Sequence, residues 1–158
     1  MEIRQACLND CVLLAEKLRT EDKKEIFAFR KIWAAEKENG ENTQRYQIMT
    51  PKEEIERCFG KSDEVYCAFY KGEIAAMFGL KGSCAWCMTT DTVNKCKKCF
   101  FVKSAEIVRK WLKRRKFFYC LAYTGCGNNL KWLRLLGAEN ILSLNFGGDV
   151  FNLYIFVR

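Results

Sequence analysis

The sequence predicts an α/β (α+β) fold: one domain over residues 1–158, with a mixed central sheet of about six to seven strands flanked by helices. Three observations carry that expectation. A chain of 158 residues that is 49% hydrophobic can bury one real core and is short for two. Its apolar residues switch between a helical period and a strand period along the chain. An uninterrupted apolar run of strand length, Phe117–Thr124, lies between two helical stretches, as a strand buried on both faces would.

The elements follow in order. Glu2–Cys7 alternates like a half-buried strand, and Asn9 or Asp10 is placed to cap a helix whose stripe is Val12, Leu13, Leu14, Ala15 and Leu18. A second helix runs from Asp22 to Ala35 on the spacing of Ile26, Phe27, Arg30 and Trp33, before a polar loop over Glu36–Thr43. Thr50-Pro51-Lys52-Glu53 is a capping box with proline at the first helical position and opens a helix to about Phe59. Strands over Val65–Tyr70 and Glu73–Leu80 flank Lys71-Gly72, a tight hairpin turn, and Cys84–Thr90 is a third strand. One long helix is expected over Asn94–Lys113. After Phe117–Thr124 comes a helix from Asn128 to Leu136, with Gly137 at its carboxyl end. A terminal hairpin, Glu139–Phe146 and Val150–Val157, turns at Gly147-Gly148-Asp149.

Bulk properties exclude several classes. No stretch approaches the roughly 18 to 20 apolar residues of a membrane span, and no apolar core follows the amino terminus as in a secretory signal, so a soluble, unsecreted protein without a membrane span is expected. The ten cysteines sit mostly in apolar runs such as Val65–Phe69 and Phe118–Ala122, where a free thiol behaves as a small hydrophobe, and reduced thiols are expected. Charge is segregated. Residues 95–116 carry ten cations against Glu106 alone, whereas the rest of the chain has 17 cations and 18 acids.

The element order resembles that of the GNAT acetyltransferase superfamily across almost the whole chain. Ile3-Arg4-Gln5-Ala6 with Asp10 is similar to the opening of those proteins, and Leu133-Arg134-Leu135-Leu136-Gly137-Ala138 is similar to their last helix and its turn. A narrower resemblance covers the second half. Cys84-Ala85-Trp86-Cys87-Met88-Thr89-Thr90-Asp91, a basic helix, and Leu130–Ala138 resemble the internal virion protein A family of short-tailed bacteriophages.

The GNAT resemblance implies a Gln/Arg-x-x-Gly-x-Gly/Ala loop that would hold the pyrophosphate of acetyl-coenzyme A on main-chain amides at a helix start. The matching stretch, Asp91–Cys99, has no glycine. The family's acid tyrosine falls on Leu133, and its asparagine falls near Cys126, with Asn128 and Asn129 adjacent. With no histidine in the chain, the candidate bases are Glu73 and Asp91. No catalytic or cofactor-binding residue is therefore assigned. Acetyl-coenzyme A enters only under the alternative of an N-acetyltransferase acting on an amine, with Lys95, Lys97 and Lys98 able to hold phosphates by side chain.

Cys84-x-x-Cys87 and Cys96-x-x-Cys99 have spacing compatible with tetrahedral zinc. Residues three apart on a strand face opposite ways, however, and the pairs lack turning glycines, so no metal is assigned. The basic segment is the expected partner-binding face: Lys95, Lys97, Lys98, Lys103, Arg109, Lys110, Lys113 and Arg114. Its partners would be other virion or assembly proteins, with nucleic-acid contact non-specific because no base-reading motif accompanies it. The phage resemblance implies a catalytically degenerate virion protein located in the particle or the host cytoplasm.

Overall fold

The computed structural model describes residues 1–36 and 49–158, with the main chain alone over 31–36. Of the expected loop over Glu36–Thr43, Glu36 still belongs to a helix and residues 37–43 lie outside the described residues, as does the side chain of Trp33. The elements are β1 (Glu2–Gln5), α1 (Leu8–Lys17), α2 (Thr20–Glu36), α3 (Pro51–Lys61), β2 (Glu64–Tyr70), β3 (Glu73–Lys81), β4 (Cys84–Thr89), α4 (Thr92–Lys95), α5 (Lys97–Arg114), β5 (Phe117–Tyr123), α6 (Gly127–Leu135), β6 (Glu139–Phe146) and β7 (Asp149–Val157).

Among the described residues, seven strands form one mixed sheet in the order β1-β2-β3-β4-β5-β7-β6. Every neighbouring pair is antiparallel except β4 with β5. Helices cover both faces. On one face Phe100 and Trp111 of α5 and Leu130 of α6 pack on Ala76, Phe78, Phe118 and Tyr154. On the other, Cys11 and Leu14 of α1, Ile26 of α2 and Ile55 of α3 pack on Cys67, Ile74, Met77 and Met88.

Local chemistry explains most boundaries. Arg4 holds Asp10 through two hydrogen bonds of 2.7 and 2.8 Å, and Asp10 in turn accepts from the Cys7 amide at 2.8 Å. Asp10 thus caps α1 from inside its first turn, and the helix begins at Leu8, earlier than the sequence predicts. In α3, Glu53 accepts from the Thr50 amide at 2.6 Å and the Thr50 hydroxyl accepts from the Glu53 amide at 3.3 Å, as the capping box requires. Lys71 and Gly72 both take positive φ, the pair of conformations that a two-residue hairpin needs. Gly137, at φ +91°, ends α6 in a Schellman turn, with the Ala138 amide donating to Leu133 O and the Gly137 amide to Arg134 O.

Three expectations are corrected. The long helix is two: α4 is one turn, and Cys96 at φ −138°, ψ 29° breaks the path before α5. β5 is buried on one face only, because its alternate residues Phe117, Tyr119, Leu121 and Tyr123 lie on a side that helices cover incompletely. The stripes of α1 and α2 are narrower than their apolar residues suggest. Leu13 and Phe27 are exposed, and the Arg30 guanidinium lies 4.5 Å over the Phe27 ring.

Candidate functional site

Parallel β4 and β5 are joined at one register position, Cys84↔Tyr119, where the Tyr119 amide donates to Ser83 O at 2.9 Å. Beyond that point the strands part, leaving a fork that opens toward their carboxyl ends. In an open α/β sheet this is the crevice where ligands bind. The fork is lined by main-chain groups that have no strand partner: Thr90 and Thr124 donate outward to β3 and β7, which turns the amides of Thr89 and Tyr123 inward.

Those inward groups are occupied by the protein's own chain. The Thr89 amide and hydroxyl both donate to Asp22, at 3.2 and 2.9 Å, and the Thr89 carbonyl accepts from the Arg19 amide at 3.2 Å. Leu18 forms a bridge with Thr90 beside them. Across the fork the Tyr123 amide donates to Glu25 at 2.9 Å. Asn129, on α6, closes the ring: its side-chain amide donates to Glu25 at 3.2 Å and its oxygen accepts from Arg19 at 3.0 Å. Arg19 also donates to Asp22 at 2.7 Å. The start of α2 is thereby stitched to both strands of the fork.

The electrostatics follow from burial. Asp22 is 2% exposed, and burial raises its pKa even though the Arg19 charge and the Thr89 bonds favour the carboxylate. Burial pushes Glu25 up to about 7, with the neighbouring Asp22 charge adding to the shift. Arg19 is held above its ordinary value by Asp22, against the opposing effect of burial. Neither acid was among the sequence candidates, and each looks in the sequence like an ordinary solvated acid near a helix start.

The β4–α5 junction is equally self-contained. The amides of Val93, Asn94 and Cys96 donate to the carbonyls of Thr90, Asp91 and Val93, and the Thr92 amide donates to the Thr90 hydroxyl. Four amides of the stretch where the resemblance places a phosphate loop therefore turn back onto the chain. Every residue there carries a Cβ, and Thr92 and Val93 are buried. Lys95 pairs with Glu73 at 3.2 Å, and Thr92 donates to the same carboxylate at 3.1 Å. Together they hold the Glu73 pKa below its ordinary value, so it is a poor base, while Asp91 is exposed beyond the fork. Leu133 is half-buried against the core. Cys126 is buried, donates to Glu21 O at 3.3 Å, and has a thiol pushed up to about 12 by burial and by Glu25. Four of the amides that the resemblance would offer to the phosphates of acetyl-coenzyme A are thus taken by the chain itself, as are the fork amides that would meet an extended amide-bearing arm.

The cysteine pairs do not converge. Cys84 and Cys87 lie on β4, whereas Cys96 packs in the core under α5. Among the described residues no three potential ligands group to hold a metal.

The basic face splits into two sets. Lys95 pairs with Glu73, Lys103 with Glu106 at 2.7 Å, and Arg114 with Glu64 at 2.6 Å. Lys110 donates to the Tyr66 hydroxyl at 2.8 Å and lies 4.7 Å over that ring. Lys97, Lys98, Arg109 and Lys113 are exposed, with no acceptor among the described residues. Among the described residues no helix is long and apolar enough to cross a membrane.

Sheet order, the β4/β5 fork and the two helical layers define a mixed α/β architecture. Specifically, this is the GNAT acetyltransferase fold, as comparison with solved structures shows. The GNAT-family acetyltransferase of Bacillus anthracis matches with a TM-score of 0.62 and 8% identity over 98% of this chain and 93% of that one. The ribosomal-protein-alanine N-acetyltransferase of Brucella melitensis matches at 0.58 and 13%, over 100% of each chain. AAC(6′)-Ib, solved with ribostamycin and coenzyme A, matches at 0.64 and 12%, over 99% and 92%. No protein-family model matches the chain, and no curated protein matches it by sequence. Identity this low speaks to architecture alone.

Proposed function

We propose that this protein is a catalytically degenerate member of the GNAT fold that acts by binding, as a virion-associated structural or assembly protein. The observation that carries the first half is the closed fork: Asp22 on the Thr89 amide and Glu25 on the Tyr123 amide. The phage half is supported by the resemblance of Cys84–Asp91, the basic helix and Leu130–Ala138 to the internal virion protein A family. Its docking surface is the basic helical face. Its partners are other virion or assembly proteins, with non-specific nucleic-acid contact beside them, and its setting is the particle or the host cytoplasm.

Two experiments test the two halves. Calorimetric titration with acetyl-coenzyme A should give no saturable heat, and micromolar affinity would overturn the degenerate reading. Mass spectrometry of purified particles from the parent phage should find the chain, and its absence there would remove the virion role.

A second reading rests on Glu25. A carboxyl raised to about 7 beside the fork has the basicity a proton acceptor needs near neutral pH. If α2 withdrew, the chain could act as an acetyl-coenzyme A-dependent N-acetyltransferase on an amine. Acetyl transfer to any of a panel of amines, lost in Glu25→Gln, would establish it.

A further inference from the structure

The two helical layers have opposite electrostatic character. In α1, α2 and α3 together, eight cations face nine acids. In α5 and α6, nine cations face Glu106 alone, which is already paired with Lys103. From this segregation, and resting on the reading of that layer as the docking surface, we propose that the α5/α6 layer binds the phosphate backbone of double-stranded nucleic acid.

The geometry of the unengaged cations supports a polymer of regularly spaced anions. Lys98, Arg109 and Lys113 fall within about 60° of arc on α5, on the side away from the sheet. Arg109 and Lys113 are about 6 Å apart along the axis, and Lys98 lies about 16 Å from Arg109. Lys131 extends the positive surface onto α6, where it is exposed. Lys103, Lys110 and Arg114 line the flank toward β2, held there by Glu106, Tyr66 and Glu64.

Two features favour duplex backbone over other polyanions. Single strands are held by exposed aromatic platforms, but the aromatics of this layer are turned on one another. Phe100 stacks on Trp132 at 5.2 Å and Phe101 meets the same ring edge-on at 5.5 Å, while Trp111 packs edge-on to Phe118 at 5.4 Å. Protein interfaces place apolar and aromatic anchors among their charges, whereas the exposed large apolar side chains of this layer are Val102, between Lys98 and Arg109, and Leu135, one turn from Lys131, with no aromatic among them. Contacts to phosphate oxygens alone carry no sequence information, so binding is indifferent to base sequence.

The test uses the whole chain and a mixed-sequence duplex followed by fluorescence anisotropy. With four to five phosphates neutralised, the logarithm of affinity should fall against the logarithm of salt with a slope of about −4, a loss of about 100- to 1,000-fold between 50 and 200 mM. The triple variant Lys98→Glu, Arg109→Glu, Lys113→Glu should lose at least about 30-fold at low salt. The control Lys17→Glu, Lys24→Glu, Lys61→Glu makes the same charge change on exposed residues of the other layer and should lose less than about threefold. All six positions are exposed, and unchanged thermal melting confirms intact folds. No duplex binding at low salt, or equal losses in both triples, would overturn the assignment. Poly-glutamate bound as tightly as duplex would also overturn it, in favour of an acidic protein surface. None of these results bears on coenzyme binding, so the docking proposal and the degenerate-enzyme reading fail separately.

Discussion

Asp22 accepts both the main-chain amide and the side-chain hydroxyl of Thr89, at 3.2 and 2.9 Å, from a helix 67 residues away in sequence. One carboxylate thus satisfies the last strand position of β4 where an edge would otherwise face the fork. Because the Arg19 guanidinium balances its charge at 2.7 Å, the contact is a closed unit of acid, cation and strand.

Removing that acid should be costly. Asp22→Ala leaves Arg19 without its counter-ion and the Thr89 amide without an acceptor, a loss on the order of 3 kcal/mol. Urea unfolding measures it, and a change below about 1 kcal/mol would mean that the contact does not hold α2 in the fork.

Glu25 predicts a pH dependence of definite sign. Its carboxyl ordinarily titrates at 4.5 and is raised to about 7 in the fold, so the folded state binds the proton more tightly than the unfolded state does. The stability it contributes is present below 4.5 and is lost as pH rises toward 7. Melting temperature should fall over that window, and Glu25→Gln should flatten the fall. A variant with the parent's pH profile would contradict this.

Asp10 predicts the opposite sign at lower pH. Its bonds from Arg4 and from the Cys7 amide outweigh burial and lower its pKa below 3.8, so its contribution is present above that value and lost as pH falls through the lowered one. Asp10→Asn should be less stable at neutral pH and should lose less on acidification. Equal acid sensitivity in variant and parent would sink the assignment.

Gly137 sits at φ +91° in the Schellman turn that closes α6. Gly137→Ala should cost about 1 to 2 kcal/mol by forcing a Cβ into that backbone region, although no atom of the described residues lies within 4 Å. No loss at all would show that the turn relaxes to another conformation.

What the sequence made legible is local. The capping box at Thr50, the Lys71-Gly72 turn and the Gly137 cap each depend on residues within a few positions of one another, and each formed as read. The absence of glycine after Asp91 was legible too, but the inward turn of that loop's amides was not. The closed fork was not legible, because Asp22–Thr89 and Glu25–Tyr123 span 67 and 98 residues, and acids near a helix start ordinarily face water. The division of the basic segment was equally hidden. Which cations find Glu64, Glu73 or Tyr66 depends on where the sheet places those partners.

The most direct measurement is an amide-resolved NMR titration of the labelled protein with acetyl-coenzyme A. If Asp22 and Glu25 keep the fork shut, the Thr89 and Tyr123 amides and those of Thr92–Cys96 should stay in place as ligand reaches millimolar concentration. Saturable shifts at Thr89 and Tyr123, with matching shifts along Thr92–Cys96, would mean that the coenzyme displaces the two acids and that the site is open for chemistry.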